Sequence, residues 1–195
     1  MISKIRTVFG AALTLSVALS AAAYSQFPPD LPPEERGRER IGSDGRTYTD
    51  PQHKFSIRLP APDWKVYQSD PSDMVPNPTL GIGNPGGKLI LVVEVKTLPG
   101  SLERLKEAGE AYAKKNQQSM GRSVLLHPNG LNCWELEDQT PMTHKGEHLV
   151  IRKLARICDL DPLRKITVSA QLPTDWWKTY EQAIGEMIES LRILR

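Results

Sequence analysis

Two cysteines, Cys133 and Cys158, are the only thiols of the chain, and whether they are reactive groups or a structural bridge depends on the compartment in which the protein folds. The other residues whose spacing invites chemistry fall in four short stretches. His144-Lys145-Gly146-Glu147-His148 has the H-x-x-E-H order of the inverted zinc proteases. That chemistry needs both histidines on one face of a helix. Here strand-like residues flank the motif and Gly146 interrupts it, so it reads as a solvated hairpin tip, with adventitious metal binding by exposed histidines as the chemical alternative. Gly81-Ile82-Gly83-Asn84-Pro85-Gly86 fits G-x-G-x-x-G, but a dinucleotide site needs a helix N-terminus after the loop. A strand follows instead, and Pro85 removes a donor. Asp159-Leu160-Asp161 sets two carboxylates before Pro162. Acid–base or calcium chemistry there would need a further partner and a cleft, so a solvated turn is expected. No serine or cysteine stands beside a base. We therefore expect no catalytic, cofactor-binding or metal residue, and a domain that survives chelation. Of the four tryptophans, Trp176 falls on the flank of a helical stripe and is the candidate contact residue for a partner.

Compartment is set by the N-terminus. Lys4 and Arg6 precede an apolar or small-residue run from Val8 to Ala23, and Ala23-Tyr24-Ser25 offers small residues around a cut before Gln26. This is the layout of a secretory signal peptide over residues 1–25. The run is shorter than the roughly 20 residues that span a bilayer, and no cysteine follows it for lipid attachment. The expected destination is the periplasm or the extracellular space, with no stable membrane insertion after cleavage. The leader's two cations account for the whole formal net charge of +2. The remainder is neutral and has no electrostatic footprint for nucleic acid.

Residues 26–47 read as a tether. Phe27-Pro28-Pro29-Asp30-Leu31-Pro32-Pro33 removes donors and fixes φ, and Glu34 to Arg40 is mixed charge with little to bury. The domain proper is expected over 48–195, enough chain for one core. Phe55, Ile57 and Leu59 alternate with polar residues, and Leu89 to Val95 is apolar on both faces at its start, as a central strand requires. Ser123–His127, Leu131–Asp138, Leu149–Cys158 and Ile166–Leu172 complete the expected strands, with turn-like Pro128-Asn129-Gly130 and Lys145-Gly146 between them. Two helices are expected. One runs from Leu102 to Ser119 behind Ser101 as N-cap, with Gly109 in its apolar stripe implying close approach to a sheet. The other follows Pro173, with Thr174 as N-cap and Trp177, Tyr180, Ile184, Met187, Ile188 and Leu191 as its buried stripe.

This layout decides the cysteines. A two-residue turn at Lys145-Gly146 pairs every residue with the one equidistant from it, which sets Cys133 opposite Cys158. The same register pairs Trp134 with Ile157 and Leu136 with Ala155 on one face, and Glu135 with Arg156 on the other. Cys133 and Cys158 then form a non-hydrogen-bonded pair with Cα atoms about 4.5 Å apart, within reach of a disulfide. Lysine is not the usual first residue of so tight a turn, so a longer loop and two buried free thiols are the alternative.

The order of elements, together with Phe55-Ser56-Ile57-Arg58-Leu59-Pro60, Trp64-Lys65-Val66 and a closing helix that ends Ser-Leu-Arg, resembles the PsbP-like family over roughly residues 48 to 195. The resemblance implies an α+β fold, an antiparallel β-sheet flanked by helices in an α/β/α sandwich. It implies an accessory or binding role more often than catalysis, and it carries no functional residue over. The expected function is an exported, non-catalytic domain that binds a protein partner in the cell envelope, without cofactor. A small envelope enzyme or ligand-binding protein with dispersed site residues is the alternative. Neither the partner nor the oligomeric state is written in the sequence.

Overall fold

The period-two stretches become strands that pair antiparallel throughout. The computed structural model describes residues 36–68, 79–115, 120–144 and 147–194. The expected leader, residues 1–25, the Pro-rich part of the expected tether and the Lys145-Gly146 turn lie outside the described residues. In chain order the elements are β1 (Thr47–Asp50), β2 (Phe55–Arg58), β3 (Lys65–Gln68), β4 (Leu80–Gly83), β5 (Leu89–Thr97), α1 (Leu102–Lys115), β6 (Met120–Leu126), β7 (Cys133–His144), β8 (Glu147–Asp159), β9 (Arg164–Pro173), α2 (Thr174–Glu189) and β10 (Arg192–Ile193). They form a seven-stranded sheet in the order β3-β4-β5-β9-β8-β7-β6 and a three-stranded sheet in the order β1-β2-β10.

Alternation along the strands assigns the helices to opposite faces. Cys133 and Trp134 are adjacent on β7 and so point to opposite sides. Cys133, Cys158, Ile166, Val168, Ala170 and Leu172 join Trp177, Ile184 and Met187 of α2 in the core, which also takes Tyr48, Phe55 and Ile57 of the small sheet. Trp134 faces α1, where a β-carbon on Gly109 would lie 2.6 Å from its ring. That is the close approach the glycine implies, and it makes an α+β sandwich with helices on both sides. The hairpin register runs from His144 opposite Glu147 to Cys133 opposite Cys158. Cys133 and Cys158 are joined, with Cα atoms 4.1 Å apart.

Three differences from expectation have plain causes. The second half of the expected tether is folded from Arg36 onward. Arg38 donates to the carbonyls of Trp64 and Pro62 at 2.9 and 2.7 Å, Gln68 N–H donates to Arg36 O, and Ile41 bridges to Tyr48. A mixed-charge segment that cannot bury itself still folds when its guanidinium caps loop carbonyls. Second, Thr174 is not the N-cap of α2. It lies inside the helix behind Pro173, and its hydroxyl donates to Val150 O at 3.0 Å, tying helix to hairpin. Third, β7 continues to His144, past the expected end at Asp138. Its Pro141 sits opposite Val150, a non-bonded position where the missing N–H breaks no pair. Ser101 does cap α1, its Oγ accepting from Arg104 N–H.

Candidate functional site

Where the sandwich ends near the disulfide, the β8–β9 turn, the Pro128–Gly130 turn and β10 enclose a cleft of about 600 Å³. Its lining combines Lys54, Asp159, Asp161, Arg164 and Arg192 with Asn129, Leu131, Leu160, Ile193 and Leu194. Local chemistry builds each wall. Asp161 organises the β8–β9 turn: its Oδ1 accepts from the N–H groups of Leu163 and Arg164 at 2.9 and 2.8 Å, and its Oδ2 accepts from Arg164 Nε at 2.7 Å. The Arg164 bond, then that of Leu163, holds the Asp161 carboxyl below its usual range. Asp159 pairs with Lys165 Nζ at 2.8 Å, and that lysine is 1% exposed. Both carboxylates that sequence singled out thus lie in a cleft, but each already has its cation. Among the described residues no group of three or more histidine, cysteine or acidic side chains gathers to hold a metal.

Two non-glycine residues of the described chain have positive φ, Lys54 at 57° and Asn129 at 54°, and both line this cleft. Asparagine tolerates that region; lysine is less at home there. Lys54 is held by its carbonyl, which accepts from Leu194 N–H at 2.8 Å. The guanidinium of Arg192 is anchored by Nη1 on the carbonyls of Glu189 and Leu191 at 2.9 and 2.8 Å.

Behind the cleft the buried Arg156 bonds Glu135 Oε2 and Glu189 Oε1, both at 2.6 Å through Nη2. Burial opposes its charge, but the bonds to Glu189 and Glu135 outweigh it and raise its pKa. The bond from Arg156 also keeps Glu189 below its ordinary value. On the α1 face Asp138 and Lys153 are register partners. Burial pushes Asp138 up and Lys153 down, each partly offset by the other's charge.

The remaining expected residues are elsewhere. Trp176 is half-buried and stacks on Tyr180 with centroids 5.8 Å apart, while Tyr180 meets Trp64 edge-on and accepts from Asn84 Nδ2 at 2.7 Å. A helix rises about 1.5 Å per residue, which puts Trp176 about 20 Å along α2 from its end at Glu189, the end that leads into Arg192 and the cleft. The H-x-x-E-H residues lie on two strands, with His148 Nδ1 3.1 Å from Thr143 Oγ1. The glycine-rich stretch is β4 followed by a turn closed by Gly87 N–H on Asn84 O. Lys54, Arg164 and Arg192 escaped sequence reading, because β2–β10 pairing in one sheet and the packing of that sheet beside the β8–β9 turn of the other bring them together; Asp159-Leu160-Asp161 and the Asn129-Gly130 turn were the local signals.

Comparison with solved structures decides the architecture. The solution structure of cyanobacterial PsbP (CyanoP) from Synechocystis sp. PCC 6803 superposes with a TM-score of 0.52 at 13% identity, covering 78% of this chain and 96% of that one. The chain has a PsbP-like fold. LpqN of Mycobacterium tuberculosis, described as involved in cell envelope biogenesis, gives a TM-score of 0.49 at 18% identity over 75% of this chain and 87% of its own. A Bacteroides thetaiotaomicron protein gives 0.49 at 14% identity, over 77% and 49%. No protein-family model and no curated protein matches the chain. The PsbP-like fold thus rests on shape, in the two sheets and two helices of the described residues. Among the described residues no helix is long and apolar enough to cross a membrane.

Proposed function

We propose that the chain is an exported, non-catalytic binding domain of the cell envelope that engages a protein partner through the cleft beside the disulfide. The observation that carries the reading is the cleft itself: charged side chains held by ion pairs and backbone carbonyls, around the half-buried Leu131, Leu160 and Leu194. Side chains fixed before contact lose little entropy on binding. A disulfide in the core fits folding in an oxidising compartment, and the leader-like residues 1–25 supply the route. On this reading cleavage near Ser25 leaves a short Pro-rich tether before the folded unit.

The experiment places a photo-crosslinking phenylalanine analogue at Leu163, which is 61% exposed on the turn flanking the cleft, and at Glu107 on α1 as a control. In the native envelope the Leu163 position should capture a discrete protein and the Glu107 position should not. Equal capture at both positions, or none at Leu163, would overturn the reading. Trp176 is carried as a second contact: Trp176→Phe keeps a ring for the stack on Tyr180 and should weaken capture. The cleft volume also falls in the range of small-molecule sites, which favours a ligand-binding domain as the second reading; a native mass spectrum retaining a bound small molecule, lost in Arg164→Gln, would decide for it.

A further inference from the structure

One wall of the cleft is the edge of a strand. β10 pairs with β2 on one side and is the last strand of its sheet on the other. Leu194 N–H donates to Lys54 O, so those two residues form a hydrogen-bonded pair. Antiparallel pairing alternates, which makes Ile193 and Phe55 the next, non-bonded pair and turns the N–H and C=O of Ile193 away from β2. Among the described residues nothing takes them up. Beside this donor and acceptor stands an excess of positive charge. Asp161 is neutralised by Arg164 and Asp159 by Lys165. Lys54 has no acidic partner among the described residues; Arg192 donates to backbone carbonyls, and the carboxylate its charge acts on, Glu189, is already bonded by Arg156. Leu131, Leu160 and Leu194 supply apolar surface in the same cleft.

We infer that this edge takes an extended acidic segment of the partner protein, added as a strand beside β10 with its carboxylates against Lys54 and Arg192. The inference rests on the binding reading above and deepens it. An extended peptide offers a backbone donor and acceptor at the spacing of Ile193, which a phosphate or a free carboxylate does not. With two backbone bonds available the charges dominate, so association is steep in salt.

The test titrates the purified protein with a fluorescein-labelled hexapeptide of alternating Glu and Val and follows anisotropy at low salt. A twin with Lys for Glu should bind at least about tenfold more weakly, as should a twin N-methylated along the backbone, which keeps the charge but cannot pair. The double variant K54Q/R192Q should lose about tenfold for the acidic peptide. Its unchanged melt shows that the fold is intact; if it fails to fold, the Ile193 amide of the wild-type protein, which should shift in the NMR spectrum as the acidic peptide is added, serves instead. Equal binding of the three peptides, or an unmoved Ile193 amide at saturation, overturns the inference. If no peptide binds while the Leu163 crosslink still captures its partner, the strand-addition model falls and the binding reading stands.

Discussion

Replacing Gly109 and Gly185 by alanine should shift stability in opposite directions, although both are mid-helix glycines of α1 and α2. In a free helix the exchange gains up to about 1 kcal/mol at either site, because glycine surrenders more backbone freedom. At Gly185 nothing lies within 4 Å of the new β-carbon, so the gain should appear in full. At Gly109 the β-carbon would sit 2.6 Å from Trp134 Cη2 and 3.3 Å from Cζ2. Carbon pairs settle near 3.5–4.0 Å, so helix and sheet must part by about 1 Å, or the indole must turn. The indole is 4% exposed and donates from Nε1 to Ser123 Oγ at 3.1 Å, so turning it breaks that partly buried bond. Overpacking of this kind costs about 1–3 kcal/mol, which leaves Gly109→Ala about 1 kcal/mol less stable after the propensity gain. For a domain of this size about 1 kcal/mol is about 3 °C in Tm, so the two variants should separate by about 6 °C in thermal melts followed by circular dichroism. If both variants melt above wild type, the close approach of α1 to Trp134 does not constrain the fold and the reasoning fails.

Reducing the disulfide, or replacing Cys133 and Cys158 together by alanine, should cost about 3 kcal/mol for a loop closed over a separation of 25 residues; urea denaturation measures it, and an unchanged midpoint would refute it. Arg156→Met should destabilise by about 3 kcal/mol because it leaves the buried Glu135 with the longer contact to Arg122 at 3.5 Å in place of its two short bonds, and adding Glu135→Leu should recover most of the loss; additive losses in the double-mutant cycle would contradict this account. Asp44 is held down from 3.8 to about 2 by the Thr47 hydroxyl and then by the N–H groups of Arg46 and Thr47. Its folded pKa lies below its unfolded one, so its contribution is complete above about pH 4 and disappears as pH falls toward 2. An NMR carboxyl titration should place the midpoint near 2, and Asp44→Asn should flatten the acid limb of the stability curve.

The elements that repeat a local period were legible without tertiary knowledge. Alternation in Phe55–Leu59 and Ile166–Leu172, the capped stripe behind Ser101, and the equidistant pairing of Cys133 with Cys158 each depend on residues close in sequence or mirrored about one turn, where sterics and side-chain direction leave few choices. Strands without such a signal were not legible: Leu80-Gly81-Ile82-Gly83 lacks branched alternation and β10 is two residues long, so each exists because a neighbouring strand supplies its hydrogen bonds. The same holds for Arg36–Ile41, whose charges looked like solvent-exposed tether until Trp64 and Pro62 offered carbonyls to Arg38. The cleft belongs wholly to tertiary structure. Asp159 and Asp161 were visible as a pair, but their neutralisation by Lys165 and Arg164 follows from the turn that brings β9 back along β8. Lys54 and Arg192 stand 138 positions apart in the sequence, and they share a wall only because α2 delivers the end of the chain to the edge of β2.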